Sequence, residues 1–343
     1  MKIQRFKDLG YTTIFNPKTG FFARVEDSGQ PEPFWAPHGP ELMDIAITNW
    51  CDKGCAFCYR SSDKSGYHMA VSDYEKLIEQ AADMGVYQVA LGGGNPNQHP
   101  QFIDILRITH EAGIVPNYTT NGRGLTFPIL QASSKYCGAV AVSAYKPYDE
   151  TTHAIESLLK ADVKVNVHFV VDAVSVETAI RWLEQPPSFL SGINALVFLN
   201  YKPMGRKIFE RKLLRNSELQ QRFFEVATSS STPFKIGFDA CCVSGLFGRV
   251  NVNSSSVDAC DAARFSLFVA EDMRVYPCSF QRGLHAGEQI TDATSLKDIW
   301  LNSDNFDQFR KYFSSDTCGG CLHKANCKNG CPIFEDLVVC GQR

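Results

Sequence analysis

The chain has no apolar run near the ~18 residues that cross a bilayer, so no membrane-spanning helix is expected. Its first residues, MKIQRFKDLGYTTIF, hold no apolar core of a signal peptide, which leads to the expectation of a cytoplasmic protein. An excess of charge is also missing: 34 Lys and Arg stand against 37 Asp and Glu, a net charge of −3. That balance makes no electrostatic case for nucleic acid or an anionic membrane. Cysteine, by contrast, is plentiful, with 13 in 343 residues. Without an export signal, so many thiols argue for metal binding over disulfides, and the odd count points the same way. A hydrophobic content of 44% and a charged content of 21% describe an ordinary globular core. The length exceeds one usual domain, so two or more units are expected.

Residues 1–40 read as an N-terminal hairpin extension. Tyr11–Phe15 and Phe21–Val25 flank the turn Asn16-Pro17-Lys18-Thr19-Gly20, and a Pro-rich run from Gly29 to Pro40 follows. From Leu42 short apolar runs alternate with amphipathic ones. Strands are expected at Met43–Thr48, Gln88–Leu91, Val115–Thr119, Ala139–Ser143, Val163–Phe169 and Ala195–Leu199. Helices are expected at Ser72–Met84, Pro100–Ala112, Pro147–Leu159, Val176–Glu184 and Asn216–Ser229, the first with Ser72 and Glu75 forming a capping box. Strict alternation implies a parallel sheet covered by helices. Residues 41–233 would form this α/β unit. After about Phe234 periodicity is poor apart from Leu296–Phe313, while nine cysteines fall between Cys241 and Cys340. Residues 234–343 read as a second domain held by metal rather than by an apolar core.

The most chemically loaded segment is ITNWCDKGCAFCYR, directly after the apolar run Met43-Asp44-Ile45-Ala46-Ile47. Cys51, Cys55 and Cys58 stand there in the spacing C-x3-C-x2-C. Three thiolates on a tight loop can hold three irons of a [4Fe–4S] cube. No fourth cysteine lies nearby, and an iron left open is the mark of a site that does chemistry. A zinc knuckle or a redox thiol pair is the alternative reading of the triplet alone. At the end of the second strand, Leu91-Gly92-Gly93-Gly94-Asn95-Pro96 lets backbone approach a ligand closely.

The triplet resembles the signature of the radical S-adenosylmethionine (radical SAM) superfamily, and Gly92–Pro96 resembles its GGEP motif, with Gly94-Asn95 in place of the Glu step. The resemblance implies an open (β/α)6 partial TIM-type barrel, with Cys51, Cys55 and Cys58 holding the SAM-binding cluster. It further implies SAM contacts from Gly92, Gly93, Gly94, Asn95 and Pro96, and from Phe57 just before the third cysteine. Asn121 and Ser143, at strand ends, are expected to reach ribose or carboxylate. Thr120, Tyr201 and Lys202 at strand ends, and His168 within the fifth strand, are further residues expected to line the cavity. Tyr201-Lys202-Pro203-Met204-Gly205-Arg206 is similar to a Y-x-P-x-G-R run and is expected to lie over the barrel mouth.

The C-terminal cysteines are similar to the SPASM extension of radical SAM maturases. Cys318, Cys321, Cys327 and Cys331 read C-x2-C-x5-C-x3-C, with Cys340 beyond and with Cys260 and Cys278 upstream. The family's Gly between those two is Met273 here. By that resemblance, two auxiliary [4Fe–4S] clusters are expected, for three clusters in all. One uses Cys260, Cys278 and Cys331 with an upstream ligand; the other uses Cys318, Cys321, Cys327 and Cys340. Cys241 and Cys242 compete as the upstream ligand, and the run Gly237-Phe238-Asp239-Ala240-Cys241 favours Cys241. Cys242 and Cys137 are expected to be buried thiols. A zinc ribbon is the alternative for this array.

The resemblance implies a peptide-modifying radical SAM oxidoreductase. Its substrate would be a ribosomal precursor peptide, cross-linked oxidatively through C–C (cyclophane) or thioether bonds, with a flavodoxin or ferredoxin as electron donor. No catalytic base is assigned. Sulfatase-maturing relatives place an Asp where Ser279 stands here, which argues against that alternative. A non-catalytic iron–sulfur carrier is the reading from another class. Some 40 residues before the barrel are too few for a winged-helix leader-binding domain. A leader would then be read by the hairpin, the barrel rim or a separate leader-binding protein.

Overall fold

The computed structural model describes residues 1–27, 33–215, 217–247, 249–250, 257–334 and 340. The start of the Pro-rich run at Gly29 and the expected helix start at Asn216 lie outside the described residues. Three antiparallel strands open the chain: β1 (Lys2–Phe6), β2 (Tyr11–Phe15) and β3 (Phe22–Glu26). The expected hairpin is therefore β2–β3 of a three-stranded sheet with β2 at its centre. Its turn closes as the residues dictate, with Asn16 Oδ1 accepting from the Lys18 amide at 3.0 Å.

The main body alternates β4 (Leu42–Thr48), α1 (Val71–Asp83), β5 (Gln88–Gly93), α2 (Phe102–Glu111), β6 (Val115–Thr120), α3 (Phe127–Tyr136) and β7 (Val140–Ser143). It continues with α4 (Asp149–Lys160), β8 (Val165–Val171), α5 (Val176–Glu184), β9 (Ala195–Asn200), α6 (Glu218–Ser229) and β10 (Lys235–Phe238). Neighbouring strands from β4 to β10 all pair in parallel. In β8 the residues Val165, Val167, Phe169 and Val171 are buried against the helix layer, and the intervening Asn166 and His168 turn to the barrel lumen. Each helix answers with a matching stripe, as Tyr74, Leu77, Ile78 and Ala81 do in α1.

Three expectations are corrected. Strand β10 pairs with β9, so the parallel sheet runs past the boundary expected at 233, and a seventh strand joins the six. Helix α1 begins at Val71 behind an extended Ala70 with no side-chain cap, so the Ser72–Glu75 capping box does not form. There the helix start is fixed by the strand instead, because the Met69 amide donates to Ile47 O at 2.9 Å. The C-terminal part is also not poor in core. After α7 (Val243–Leu246), β11 (Ser266–Val269) pairs in parallel with β4 at the far edge of the barrel sheet. Strands β12 (Arg274–Tyr276) and β13 (Glu288–Gln289) then extend that sheet antiparallel. Leu267, Val269, Trp300, Phe306 and Phe313 join the barrel core. The periodic stretch Leu296–Phe313 is two helices, α8 (Leu296–Asn302) and α9 (Asp304–Ser314), parted at Ser303, whose hydroxyl caps the second. Met273 sits in the β11–β12 turn at φ +62°, the left-handed conformation that suits a glycine.

The N-terminal sheet is tied to the N-terminal ends of the barrel strands. Lys164 Nζ donates to Lys18 O at 2.9 Å, and Pro17, Thr19 and Gly20 face Asn117, Asn194 and Lys235 across a cavity of about 410 Å³. Arg24 of β3 pairs with Glu41 at 2.9 Å and lies 3.6 Å over Phe265, locking hairpin, barrel and C-terminal part together.

Candidate functional site

The cysteine triplet leaves β4 at the opposite, C-terminal end of the strands. The Trp50 amide donates to Thr48 Oγ1 at 2.9 Å, and the Cys51 amide to Asp63 O at 2.9 Å, closing the loop at its base. Behind it the Gly94 amide donates to Thr48 O at 2.8 Å. A Cβ on Gly94 would stand 2.0 Å from Trp50 O, so only glycine lets the β5 loop pass this close to the cysteine loop. Two residues past Cys58, the buried Arg60 pairs with Glu271 of the β11–β12 turn.

A cavity of about 440 Å³ opens at this end. Cys51, Cys55, Cys58, Phe57, Gly92, Gly93, Gly94, Asn121 and Ser143 all reach its wall. Asn121 Nδ2 lies 3.7 Å from Cys51 Sγ. Asn95 and Pro96 do not line it. Asn95 is fully buried behind the wall, where its Oδ1 accepts from Thr120 Oγ1 at 3.2 Å and the Asn121 amide at 3.0 Å. Its position orders the loop that carries Asn121. The Tyr201–Arg206 run does lie over the mouth, and Arg206 fastens it to the cysteine loop through Ser62 O at 2.8 Å and Asp63 at 3.0 Å.

Several cavity residues escape sequence reasoning. Asp44, Tyr145, Asn200, Asp239 and Phe280 line the wall. Asp44 did carry a signal, being a lone charge inside an apolar strand. The others depend on which strand ends meet. Lys202 pairs with Asp239; burial lowers the Lys202 pKa, but the Asp239 charge outweighs it and holds the ammonium charged. His168 is driven down to about 4 by burial, so its imidazole is neutral. Both side-chain polar atoms of Asn200, and Asp239 Oδ1, are buried without a hydrogen-bond partner. Such atoms on a cavity wall await a ligand.

Asp44 is exposed to the barrel lumen, and the protein crowded around it desolvates its carboxyl and pushes it up to about 6. The unfolded chain therefore ionises first, so stability is full below the unfolded value near 4 and is lost as pH rises through about 6. Asp44→Asn is expected to stabilise the protein by about 1 kcal/mol near pH 8, a figure discounted for lumen water, and by less near pH 5. Thermal unfolding at the two pH values checks this, and an equal gain at both would sink it.

The remaining cysteines converge in two places. Cys318, Cys321, Cys327 and Cys340 surround a cavity of about 340 Å³. Cys241, Cys260, Cys278 and Cys331 surround a tighter one of about 30 Å³, where the Cys241 and Cys331 thiols hydrogen-bond to each other. Cys242 points the other way, its Sγ 4.0 Å from Phe198 O within the barrel core. Cys137 packs beside Tyr118 and hydrogen-bonds Ser133. Burial raises Cys278 to about 12 and Cys327 to about 11, so a cationic group is needed to hold either as thiolate. Among the described residues no three His, Cys, Asp or Glu converge tightly enough for a single metal ion. The larger cavity has the width for a polynuclear cluster. The tighter set encloses only about 30 Å³ while the Cys241 and Cys331 thiols are hydrogen-bonded, so a cluster there would have to part them. All-thiolate donor sets of this kind suit iron–sulfur clusters.

This fold and this thiol arrangement define a class. The radical SAM superfamily model matches residues 45–173, and that of SPASM, an iron–sulfur cluster-binding domain, matches residues 260–327. The chain belongs to the radical SAM enzymes that carry a SPASM domain, which bind [4Fe–4S] clusters and SAM. It is 24% identical over 318 residues to the mycofactocin maturase MftC of Mycobacterium tuberculosis, covering 85% of this chain and 78% of that one. It is 22% identical to the PqqA peptide cyclase of Gluconobacter oxydans, covering 86% of each. In fold it is similar to SuiB of Streptococcus suis, with a TM-score of 0.70 and 18% identity, over 86% of this chain and 73% of that one. Among the described residues no helix is long and apolar enough to cross a membrane.

Proposed function

We propose that the protein is a cytoplasmic peptide maturase that joins side chains of a ribosomally made precursor with net loss of two hydrogens. The carrying observation is that Phe280 lines both the triplet cavity and the pocket of Cys241, Cys260, Cys278 and Cys331. A substrate in the cavity is thus one side chain away from a second thiol site. When bound, the cluster and SAM would supply a 5′-deoxyadenosyl radical to take one hydrogen atom from an unactivated C–H bond, and a cluster held by Cys241, Cys260, Cys278 and Cys331 would take the electron left after bond formation, the second hydrogen leaving as a proton to solvent. The chain's own part is positional. Phe57 and Tyr145, with ring centroids 5.4 Å apart, wall off the cysteine side, and Asn200 and Asp239 offer unpaired polar atoms opposite. Ser279 stands on the wall where a carboxylate would be needed for the sulfatase-maturase outcome. The names of two relatives, a mycofactocin maturase and a PqqA peptide cyclase, support the substrate class.

On this reading Cys51, Cys55 and Cys58 hold the SAM cluster. Cys241, Cys260, Cys278 and Cys331 hold the first auxiliary cluster, and Cys318, Cys321, Cys327 and Cys340 the second, giving three in all. A flavodoxin or ferredoxin supplies the electron. Gly92, Gly93, Gly94, Phe57, Asn121 and Ser143 are the SAM contacts. The hairpin, at the floor of the barrel, has no access to the mouth, so a leader is read at the rim or by a separate protein. The two units divide after β10, near residue 239.

Co-expression of the precursor with the enzyme should give a mass shift of about −2 Da per cross-link, the stoichiometry of a new bond at the cost of two C–H or X–H bonds. An aldehyde, a methyl gain or a loss of about 18 Da would reject this chemistry. Ligand choice is checked separately. Cys241→Ala is expected to lower auxiliary iron, whereas Cys242→Ala should keep it and cost about 1 kcal/mol for the small core cavity. The reverse pattern in iron counting would move the ligand by one residue.

A further inference from the structure

The segment leaving β9 concentrates positive charge in a chain whose net charge is −3. Arg206, Lys207, Arg211, Lys212 and Arg215 fall within ten residues that hold one acid, Glu210. Two of these cations are engaged, Arg206 with Asp63 at 3.0 Å and Lys212 with Asp172 at 2.7 Å. Lys207, Arg211 and Arg215 form no ion pair with an acid among the described residues. A groove of about 470 Å³ is lined by Arg211 and Arg215, by Glu210 and Ser217, and by the apolar Ala173, Val176, Leu213, Leu214 and Leu219, so its charge is two cations against one acid. In the same two loops Val174 and Ile208 are 65% and 52% exposed. The groove is also next to the chemistry. Leu213 packs on Tyr201, with Phe57 against the same cluster, and those two line the triplet cavity. The packed pair Leu213 and Tyr201 separates groove from cavity.

We propose that this groove docks an acidic, apolar segment of the precursor peptide and leads the residues to be modified over the rim into the cavity. The proposal rests on the maturase reading for the identity of the peptide, and on the groove itself for its chemistry. Carboxylates would meet Arg211 and Arg215, steering the encounter, while apolar side chains would fill the floor. A nucleic acid would satisfy the cations but has nothing to place on five aliphatic side chains.

The test uses the full chain loaded with its clusters and reads fluorescence anisotropy of a labelled peptide of about 12 Leu and Glu residues. A Leu and Lys counterpart and a single-stranded oligonucleotide serve as the other probes. The Leu/Glu peptide is expected to bind, with affinity falling as salt shortens the range of the cation–carboxylate attraction. Arg211→Glu with Arg215→Glu should weaken it by about tenfold or more, and Arg211→Lys with Arg215→Lys should stay within about threefold. Iron content and circular dichroism show that each variant is folded. Equal binding by the charge-reversed variant, equal binding of the Leu/Lys peptide, or displacement by the oligonucleotide would overturn the proposal. Because binding is read without turnover, a missing −2 Da product would count against the maturase reading and leave this result standing.

Discussion

Replacing Cys51, Cys55 and Cys58 together with Ala is expected to abolish formation of 5′-deoxyadenosine while about two thirds of the iron remains, roughly eight of twelve atoms for three four-iron clusters. All the cysteines but Cys137 and Cys242 divide into three sets that share no member, around cavities of about 440, 30 and 340 Å³. Removing one set therefore leaves the other two intact. Anaerobic purification, iron and sulfide counting, and chromatography of the SAM products decide it. Continued 5′-deoxyadenosine formation by the triple variant would show that the triplet is not the SAM site. A fall of iron to nothing would show that the C-terminal cysteines do not hold clusters of their own.

A comparable loss is expected from a residue that ligates nothing. Gly205 lies in the loop over the barrel mouth at φ +92°, and a Cβ there would stand 2.3 Å from Cys58 O and 2.4 Å from Tyr59 Cα. Both neighbours are backbone, so a side chain at this position cannot be relieved by a rotamer change. The Arg206 amide, one residue on, donates to Cys58 O at 3.1 Å, which ties the two loops at that point. Gly205→Val is expected to force the cysteine loop outward. The triplet site should lose its iron, about four atoms per chain. Stability should fall by about 3 kcal/mol through overlap and a disfavoured φ. Iron content and thermal unfolding measure both effects. A variant with full iron and unchanged unfolding would mean that the two loops can separate without consequence.

The sheet was legible because its signal is repeated. Each of the runs at β4 to β9 is a short apolar stretch, followed in every case but β6 by an amphipathic one that reads as a helix, and a strand lies within a few residues of every one; α3 after β6 was not expected. Strand β10 was not legible, since Lys235-Ile236-Gly237-Phe238 is too short and too mixed to stand out. It becomes a strand by pairing with β9. The C-terminal part looked poor in core because Leu267, Val269, Trp300 and Phe306 bury against the barrel and not against one another. Asn95 shows the same limit inside the site. Its place in a glycine-rich motif suggested ligand contact, but the strand end turns it inward to hold Thr120 and Asn121.

What the sequence by itself determined is the chemistry that depends on neighbours in the chain. Three thiols within eight residues must share one loop, and alternating apolar patterns must form strands and helices. Tertiary structure realises what depends on residues far apart, including the cysteine sets that only the family resemblance had implied. It gathers Cys340 with Cys318, and Cys241 with Cys278. It turns Cys242, one residue on from Cys241, into the barrel core. It brings Asp44, Asn200 and Asp239 to one cavity wall from three strands, and it sets the hairpin at the floor rather than the mouth. The reason is physical: local spacing constrains a loop of a few residues, whereas the facing of a side chain across a barrel is set by strand register and packing, which no short stretch of sequence contains.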